Sequence, residues 1–235
     1  MAKLMGARII RSGDVVECIE YDRPLPYDYT PEREISPRGE QGSKEDGKRD
    51  DNLLRARQKI RQYIWANQGK FPKFVTFTYA DNMQDYEQFK ADWYLSQKRM
   101  ARQGIKLRYL YVLEYQQRGA IHTHAVLFND EYIPHDKLAA AWGKGFVKIN
   151  AIDSVRNLGA YVCKYLQKAS MQEYGSYAYH ISRGLNKPEV ERVNVYESQP
   201  ISDLEQKYWT TYDNTVYDET LCTFVRYRQF MENPK

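Results

Sequence analysis

The chain has 235 residues, of which 42% are hydrophobic and 28% charged, with a formal net charge of +4. This length is sufficient for a domain with a hydrophobic core, and the small positive charge excludes a binder that relies on electrostatics alone. The 21 tyrosines could stack unpaired bases beside Lys and Arg, although many are expected to be ordinary sheet residues. Three cysteines in no metal-ligand spacing argue against a disulfide framework and favour a reducing compartment. Since no stretch approaches the ~20 apolar residues of a membrane span and no signal-peptide pattern is present, we expect a cytoplasmic protein without membrane contact.

The N-terminal segment, residues 1–50, differs in composition from the rest. A short strand is predicted at Ala7–Ile10, and residues 21–49 are rich in Pro, Gly and charge, which is typical of an arm without its own core. The pattern then predicts a helix at 52–67, a strand at Phe74–Tyr79 and a long helix at 84–103. Gly104 is expected to end that helix as a C-cap.

The most informative segment is Arg108–Phe128, which reads as a hairpin. His122 and His124 are two residues apart, so on a strand both imidazoles project from one face. With the turn at 116–120 and Arg118 near its centre, Glu114 falls opposite His122, at a cross-strand distance of about 5 Å. Two imidazoles and one carboxylate leave positions open for water or substrate and suit Mn²⁺, Mg²⁺ or Zn²⁺.

An alternative interpretation makes the two histidines polar residues on the solvated face of an amphipathic strand. The other two histidines, His135 and His180, are expected to be ordinary residues that could supply a ligand only if Glu114 did not reach the site.

Between the hairpin and the next long helix, the sequence predicts a short helix at 135–142 and a strand at 145–149. Gly143, Lys144 and Gly145 lie between them in the sequence WGKGF. Glycines beside a lysine could cradle a phosphate, but they more often mark a turn between a helix and a strand, which is the interpretation we favour.

The run 153–170 is predicted to be an amphipathic helix that carries two Tyr–Lys pairs, Tyr161 with Lys164 and Tyr165 with Lys168. Asp153 or Ser154 can cap its start. At about 100° per residue, one narrow arc collects the apolar residues Val155, Leu158, Val162, Leu166 and Ala169. The tyrosines and lysines form a band beside this stripe, where a tyrosine can also be plain amphipathic packing with a wet hydroxyl.

Together, the hairpin and the tyrosine helix suggest phosphoryl-transfer chemistry on DNA. A metal ion on a phosphodiester oxygen neutralises charge and orients phosphorus for in-line attack, and a tyrosine hydroxyl can then be the nucleophile. Because a phenol has an unperturbed pKa of about 10, a nearby cation such as Lys164 would help it react. The product is a covalent phosphotyrosine, which permits religation, and a second tyrosine could attack in turn.

Three blocks resemble, in order, the motifs of HUH-type rolling-circle replication initiators. FVTFTY (74–79) is similar to the first motif, IHTHAVLF (121–128) to the metal-binding strand with Glu114 upstream, and YVCKYLQK (161–168) to the nucleophile helix of the two-tyrosine branch found in phages. Thr123 stands where members usually have a bulky hydrophobic residue, and it is expected to face inward, opposite the metal. SRGLNKP (182–188) is similar to a basic loop of phage members, which makes Arg183 and Lys187 expected DNA contacts.

The resemblance and the element order together imply an α+β fold, with a ferredoxin-like (RRM-like) antiparallel sheet, helices on one face and the metal hairpin at its centre. We expect residues 1–50 to be an arm, 51–190 the endonuclease domain, and 191–235 a β-rich extension packed on that domain. Three further strands are expected there, with a turn at Asp213–Asn214.

The function implied is a metal-dependent (Mn²⁺ or Mg²⁺), site-specific nickase and strand transferase that initiates rolling-circle replication. Glu114, His122 and His124 would hold the ion, Tyr161 would attack first with Lys164 or Lys168 assisting, and Tyr165 would make the second transfer. The partner is single-stranded origin DNA. Because the sequence contains no GxxxxGK[ST] loop, a host helicase and single-strand-binding protein are expected, with the protein acting as a monomer or homodimer. Alternatives are a relaxase or transposase of the same superfamily, or a nucleic-acid-binding module that has lost cleavage.

Overall fold

The computed structural model describes residues 3–29, 45–68, 72–116, 118–151, 155–166 and 178–232. The chain divides into two compact units, one formed by residues 41–186 and the other by residues 1–40 together with 187–235. None of the helices in the described residues is long and apolar enough to cross a membrane.

Ten strands and five helices lie in these ranges. In chain order they are β1 (Leu4–Ser12), β2 (Val15–Pro26), α1 (Glu45–Ala66), β3 (Lys73–Phe77), α2 (Tyr86–Arg102), β4 (Tyr109–Tyr115), β5 (Ile121–Leu127), α3 (His135–Trp142), β6 (Val147–Ala151), α4 (Val155–Tyr165), β7 (Tyr179–Ile181), β8 (Glu189–Asn194), α5 (Gln199–Lys207), β9 (Tyr208–Asp218) and β10 (Thr223–Glu232).

The unit of residues 41–186 contains a five-stranded sheet in the order β6-β3-β5-β4-β7, and all its pairs are antiparallel. Within it, β3-α2-β4-β5-α3-β6 has the connectivity and strand order of a ferredoxin-like βαββαβ unit. The predicted α+β class with an antiparallel sheet and a central hairpin is therefore confirmed.

Local signals explain the long helix α2. The Asp85 carboxylate caps its start by accepting hydrogen bonds from the backbone amides of Glu87 and Gln88, at 2.8 and 3.2 Å. Gly104 follows its end with a φ of +78°, a conformation that glycine adopts without strain. The predicted C-cap is thus confirmed.

Helices cover both faces of this sheet, so the prediction of helices on one face is wrong. Trp93 of α2 packs edge-on against Phe77 and Tyr109, whereas α4 packs on Phe74 through Tyr161. Phe74 and Phe77 are three residues apart on β3, so they point to opposite faces. The physical reason is that both faces are apolar along β3, β4 and β5, and each needs a cover.

The second unit contains another five-stranded antiparallel sheet, in the order β8-β1-β2-β10-β9. It has its own core of Ala7, Ile9, Val16, Cys18, Val193, Leu204 and Phe230. Residues 4–26 are therefore central strands rather than an arm, and residues 189–232 complete this sheet instead of extending the endonuclease domain. The partners of β1 and β2 lie far away in the sequence, so the local pattern did not reveal them.

The C-terminal hairpin also differs from the prediction. Asp213 and Asn214 lie inside β9, where the Asp213 carboxylate accepts hydrogen bonds of 3.0 and 2.6 Å from Arg226 on β10. The turn comes later, and Cys222 adopts a positive φ of 49° there. Pairing with Arg226 holds the two residues in an extended strand.

Candidate metal centre

The predicted register of the hairpin is confirmed. Glu114 on β4 lies directly opposite His122 on β5, and His124 projects from the same face. An Oε2 atom of Glu114 lies 2.9 Å from His124 Nε2 and 3.9 Å from His122 Nδ1. One ligand atom from each residue can be chosen so that all three lie within 4.8 Å of one another, and the group could hold a metal ion.

Arg118 fixes the turn of this hairpin. Its guanidinium donates hydrogen bonds to the carbonyl oxygens of Tyr79 and Ala80, at 2.6 and 3.1 Å, which ties the hairpin tip to the segment after β3. Gly119 has a φ of +85°, which closes the turn without the strain that a side chain would add. The ligand-bearing strands are therefore held at their open end.

The electrostatics of His122 suit a metal ligand. Burial, and then the neighbouring charge of His124, lower the pKa of His122 to about 4, although Glu114 opposes the shift. A neutral imidazole is the form that binds metal. His122 Nε2 is buried without a hydrogen-bond partner among the described residues, which is costly unless a further ligand meets it. The donor set therefore fits a divalent cation.

Thr76 on β3 is a residue that the sequence analysis missed. It pairs with His124 across the strands, and its Oγ1 lies 3.2 Å from His124 Nδ1. A contact at Nδ1 orients the imidazole so that Nε2 faces Glu114, as the outer partners of metal-binding histidines commonly do. The alternating threonines of FVTFTY were the available signal.

The two reserve histidines do not join the group. His180 pairs with Tyr111 on β4 and stacks on its ring with centroids 5.5 Å apart, so it lies on the opposite face from His124. His135 Nε2 lies 2.8 Å from the carbonyl oxygen of Val147 and donates to it. Thr123 is 1% exposed and faces inward, as predicted.

The tyrosine helix packs directly over the histidines. The ring of Tyr165 stacks on His124 with centroids 3.7 Å apart, and the hydroxyls of Tyr165 and Tyr161 are hydrogen bonded at 2.8 Å. Tyr161 is 40% exposed, and Lys164 Nζ lies 5.7 Å from the centroid of its ring. Of the predicted site, the structure thus brings together both tyrosines, Lys164 and the three ligand residues, while Lys168, Asp153 and Ser154 lie outside the described residues.

The predicted apolar stripe anchors α4, since Leu158, Val162 and Leu166 are buried. The sequence analysis did not identify the partner helix, α1. Arg57 on α1 donates a hydrogen bond of 3.0 Å to the carbonyl oxygen of Leu166, at the end of α4. The charged residues of α1 had been interpreted as a solvated face, but this one holds the nucleophile helix.

The Tyr165 hydroxyl resists ionisation. Burial, the hydrogen bond with Tyr161 and the nearby Glu114 carboxylate all raise the pKa of Tyr165 above its usual value. Both hydroxyls therefore need added positive charge to become good nucleophiles at neutral pH, and a cation bound by the adjacent carboxylate and imidazoles would supply it.

The basic loop is partly as expected, because Arg183 and Lys187 are both exposed. The Arg183 loop is held by Asn67, whose buried amide exchanges hydrogen bonds of 2.8 and 2.9 Å with the backbone of Asn186. The turn interpretation of WGKGF is also correct, since Gly143 ends α3 with a φ of +60° and Lys144 forms an ion pair of 2.8 Å with Asp92.

Comparison with known proteins agrees with this geometry. Residues 72–170 match a family model described as a replication-associated protein of the ORF2 type, and this range contains the hairpin and the tyrosine helix. No curated protein and no solved structure matches the chain. The segment that carries the candidate metal centre therefore belongs to this family of replication-associated proteins.

Proposed function

We propose that this protein is a metal-dependent, site-specific nickase and strand transferase that acts on single-stranded DNA and initiates rolling-circle replication of a phage, virus or plasmid in the host cytoplasm. The observation that carries the proposal is the stacking of Tyr165 on His124 at 3.7 Å. It brings two linked phenol hydroxyls beside a carboxylate and two imidazoles that could hold a cation.

Each group has a separate chemical task. A divalent ion held by Glu114, His122 and His124, Mn²⁺ or Mg²⁺, would neutralise charge on the scissile phosphate. Tyr161 is assigned as the first nucleophile because it is 40% exposed and has Lys164 over its ring. The ammonium group favours the phenolate form of Tyr161.

The reaction balances without an external energy source. The phenol oxygen of Tyr161 bonds to phosphorus as the phenol proton departs to solvent, and the bond from phosphorus to the 3′ oxygen breaks. The 3′ oxygen leaves as a free hydroxyl, and the strand remains attached through a 5′-phosphotyrosine. Because the transesterification conserves one phosphodiester bond, the ends can be rejoined without ATP. Tyr165, hydrogen bonded to Tyr161, would make the second transfer.

The proposal also assigns partners. Single-stranded origin DNA is the substrate, and Arg183, Lys187 and Lys168 are proposed to contact its phosphates or assist the tyrosines. A host helicase and a single-strand-binding protein would open the duplex and hold the displaced strand.

The test is covalent capture. The full chain is incubated with a labelled single-stranded oligonucleotide library from the surrounding genome and Mn²⁺, then separated under denaturing conditions. We expect a labelled adduct in the wild type, a strongly reduced one in Tyr161→Phe, and a cut at one position in the sequence.

Tyr165→Phe is the matched variant, because it keeps the ring stacked on His124 and removes only the hydroxyl. We expect it to form the first adduct but to fail in transferring that strand to a second labelled acceptor. An adduct of wild-type strength in both single variants and in the double variant would exclude α4 as the source of the nucleophile. No adduct in the wild type, with binding retained, would instead indicate a non-catalytic module.

A further inference from the structure

Strand β6 presents two exposed side chains on the same face as the metal ligands. Thr76 of β3 pairs with His124 on one side and with Lys148 on the other, so these three side chains share a face. Val147 is buried and pairs with Phe77 on the opposite face. Alternation along the strand therefore directs Phe146, like Lys148, to the face of His124.

Phe146 is 65% exposed, although its backbone is firmly held. The amide of Thr78 donates to the Phe146 carbonyl oxygen at 3.0 Å, and the Phe146 amide donates to Thr78 Oγ1 at 3.1 Å. Gly145 permits this approach, because a Cβ atom there would lie 2.4 Å from the Thr78 carbonyl oxygen. WGKGF thus holds an aromatic ring rigidly in solvent, which lowers the conformational entropy that the ring would lose on binding.

Charge supports an anionic ligand at this unit. Residues 41–186 contain 23 basic and 14 acidic residues, a formal charge of +9, whereas residues 1–40 and 187–235 contain 12 basic and 17 acidic, a formal charge of −5. Lys148 is exposed, whereas Lys144 of the same segment is already paired with Asp92 at 2.8 Å. Lys148 is therefore the cation of this segment that can meet a phosphate.

We propose that Phe146 and Lys148 form a subsite for the DNA strand that is cut at the metal centre. Phe146 stacks on one unpaired base, and Lys148 contacts a phosphate next to that base. Lys148 lies two strands from His124, about 10 Å away, so the subsite holds a nucleotide that flanks the scissile phosphate. Base stacking on an exposed aromatic ring tolerates any sequence and requires a single strand. The inference rests on the proposed nickase function.

The test is binding of a fluorescein-labelled single-stranded oligonucleotide of roughly 15 nucleotides to the full chain in EDTA, measured by fluorescence anisotropy over a salt series. We expect Phe146→Ala and Phe146→Leu to bind about tenfold more weakly with an unchanged salt slope, whereas Phe146→Trp keeps wild-type affinity. Lys148→Ala should reduce the salt slope by about 0.7, the value for one phosphate contact on a single strand.

Matched controls exist on the same unit. Tyr132 is 78% exposed and follows the far end of β5, and Lys137 is exposed on α3, which packs on the other face. Tyr132→Ala and Lys137→Ala should leave affinity and salt slope unchanged. Thermal midpoints of all variants verify that they are folded, and Phe146→Leu, which retains an apolar side chain, distinguishes lost stacking from lost packing.

The outcomes separate this inference from the proposed function. If the wild type forms the covalent adduct and binds single strands, but Phe146→Ala and Phe146→Leu bind equally well, the subsite is refuted while the nickase stands. If the wild type forms no adduct, yet these variants lose affinity as expected, the subsite stands and the nickase fails. Equal binding of double-stranded DNA at this surface would also refute stacking on an unpaired base.

Discussion

Replacing Glu114 by Gln removes the negative charge from the candidate metal centre while preserving side-chain shape. Glu114 Oε2 is 2.9 Å from one imidazole and 3.9 Å from the other, so it is the one anionic ligand of the group. The amide of Gln can still hydrogen bond to His124. We therefore expect Glu114→Gln to fold normally without metal but to bind Mn²⁺ weakly.

The magnitude follows from linkage. A cation present at 100 times its dissociation constant stabilises the folded state by about 2.7 kcal/mol. Losing even an outer-shell partner of a metal ligand reduces metal affinity by about 10- to 100-fold, and loss of the only carboxylate ligand should cost at least this much. At the same metal concentration the stabilisation then falls to about 0.4–1.4 kcal/mol. Since 1 kcal/mol shifts the midpoint of a domain of this size by roughly 2–4 °C, the wild-type shift is about 5–11 °C.

The assay is thermal unfolding of the full chain with and without MnCl₂, supported by calorimetric titration of the metal. His180→Gln is the matched control, because it removes a histidine from the opposite face of the same sheet and should retain the full metal shift. The reasoning is refuted if Mn²⁺, Mg²⁺ and Zn²⁺ all leave the wild-type midpoint unchanged, or if Glu114→Gln keeps the wild-type shift.

Three further predictions concern the packing around the site. Asn67→Ala should lower the urea midpoint by an amount equivalent to about 1–3 kcal/mol, because it leaves buried backbone groups of the basic loop unpaired; an unchanged midpoint would contradict this. Gly145→Ala should destabilise the chain by about 1–3 kcal/mol through a clash with the backbone after β3, and it should weaken single-strand binding in the anisotropy assay, whereas equal stability and binding would show that the turn has room. Burial raises the pKa of Cys18 to about 12 and that of Cys163 to about 11, so iodoacetamide at pH 8 should label only the exposed Cys222 in the native protein and all three thiols in urea, as counted by mass spectrometry.

The parts that could be predicted from the sequence depend on short-range geometry. Strand alternation puts His122 and His124 on one face, and a five-residue turn brings Glu114 opposite His122, so both features follow from spacing alone. The amphipathic stripe of α4 and the cap of α2 are equally local, because neighbours three and four residues apart meet on a helix. The ferredoxin-like core followed from the order of these elements.

The remaining features depend on contacts between residues that are far apart in the chain. Residues 4–26 looked like an arm because their sheet partners β8 and β10 come more than 160 residues later. Arg57 looked like a solvated charge until packing of α1 against α4 brought it to the Leu166 carbonyl. Thr76 and Phe146 carried no motif of their own.

The amino-acid order by itself determined the metal hairpin and the two-tyrosine face, since periodicity and turn length are properties of neighbouring residues. Tertiary structure alone decided that the tyrosines stack over the histidines, that helices cover both faces of the sheet, and that the chain ends form a second sheet. These depend on which apolar surfaces bury one another, and that burial is non-directional and roughly proportional to area, so no local sequence pattern specifies the partner.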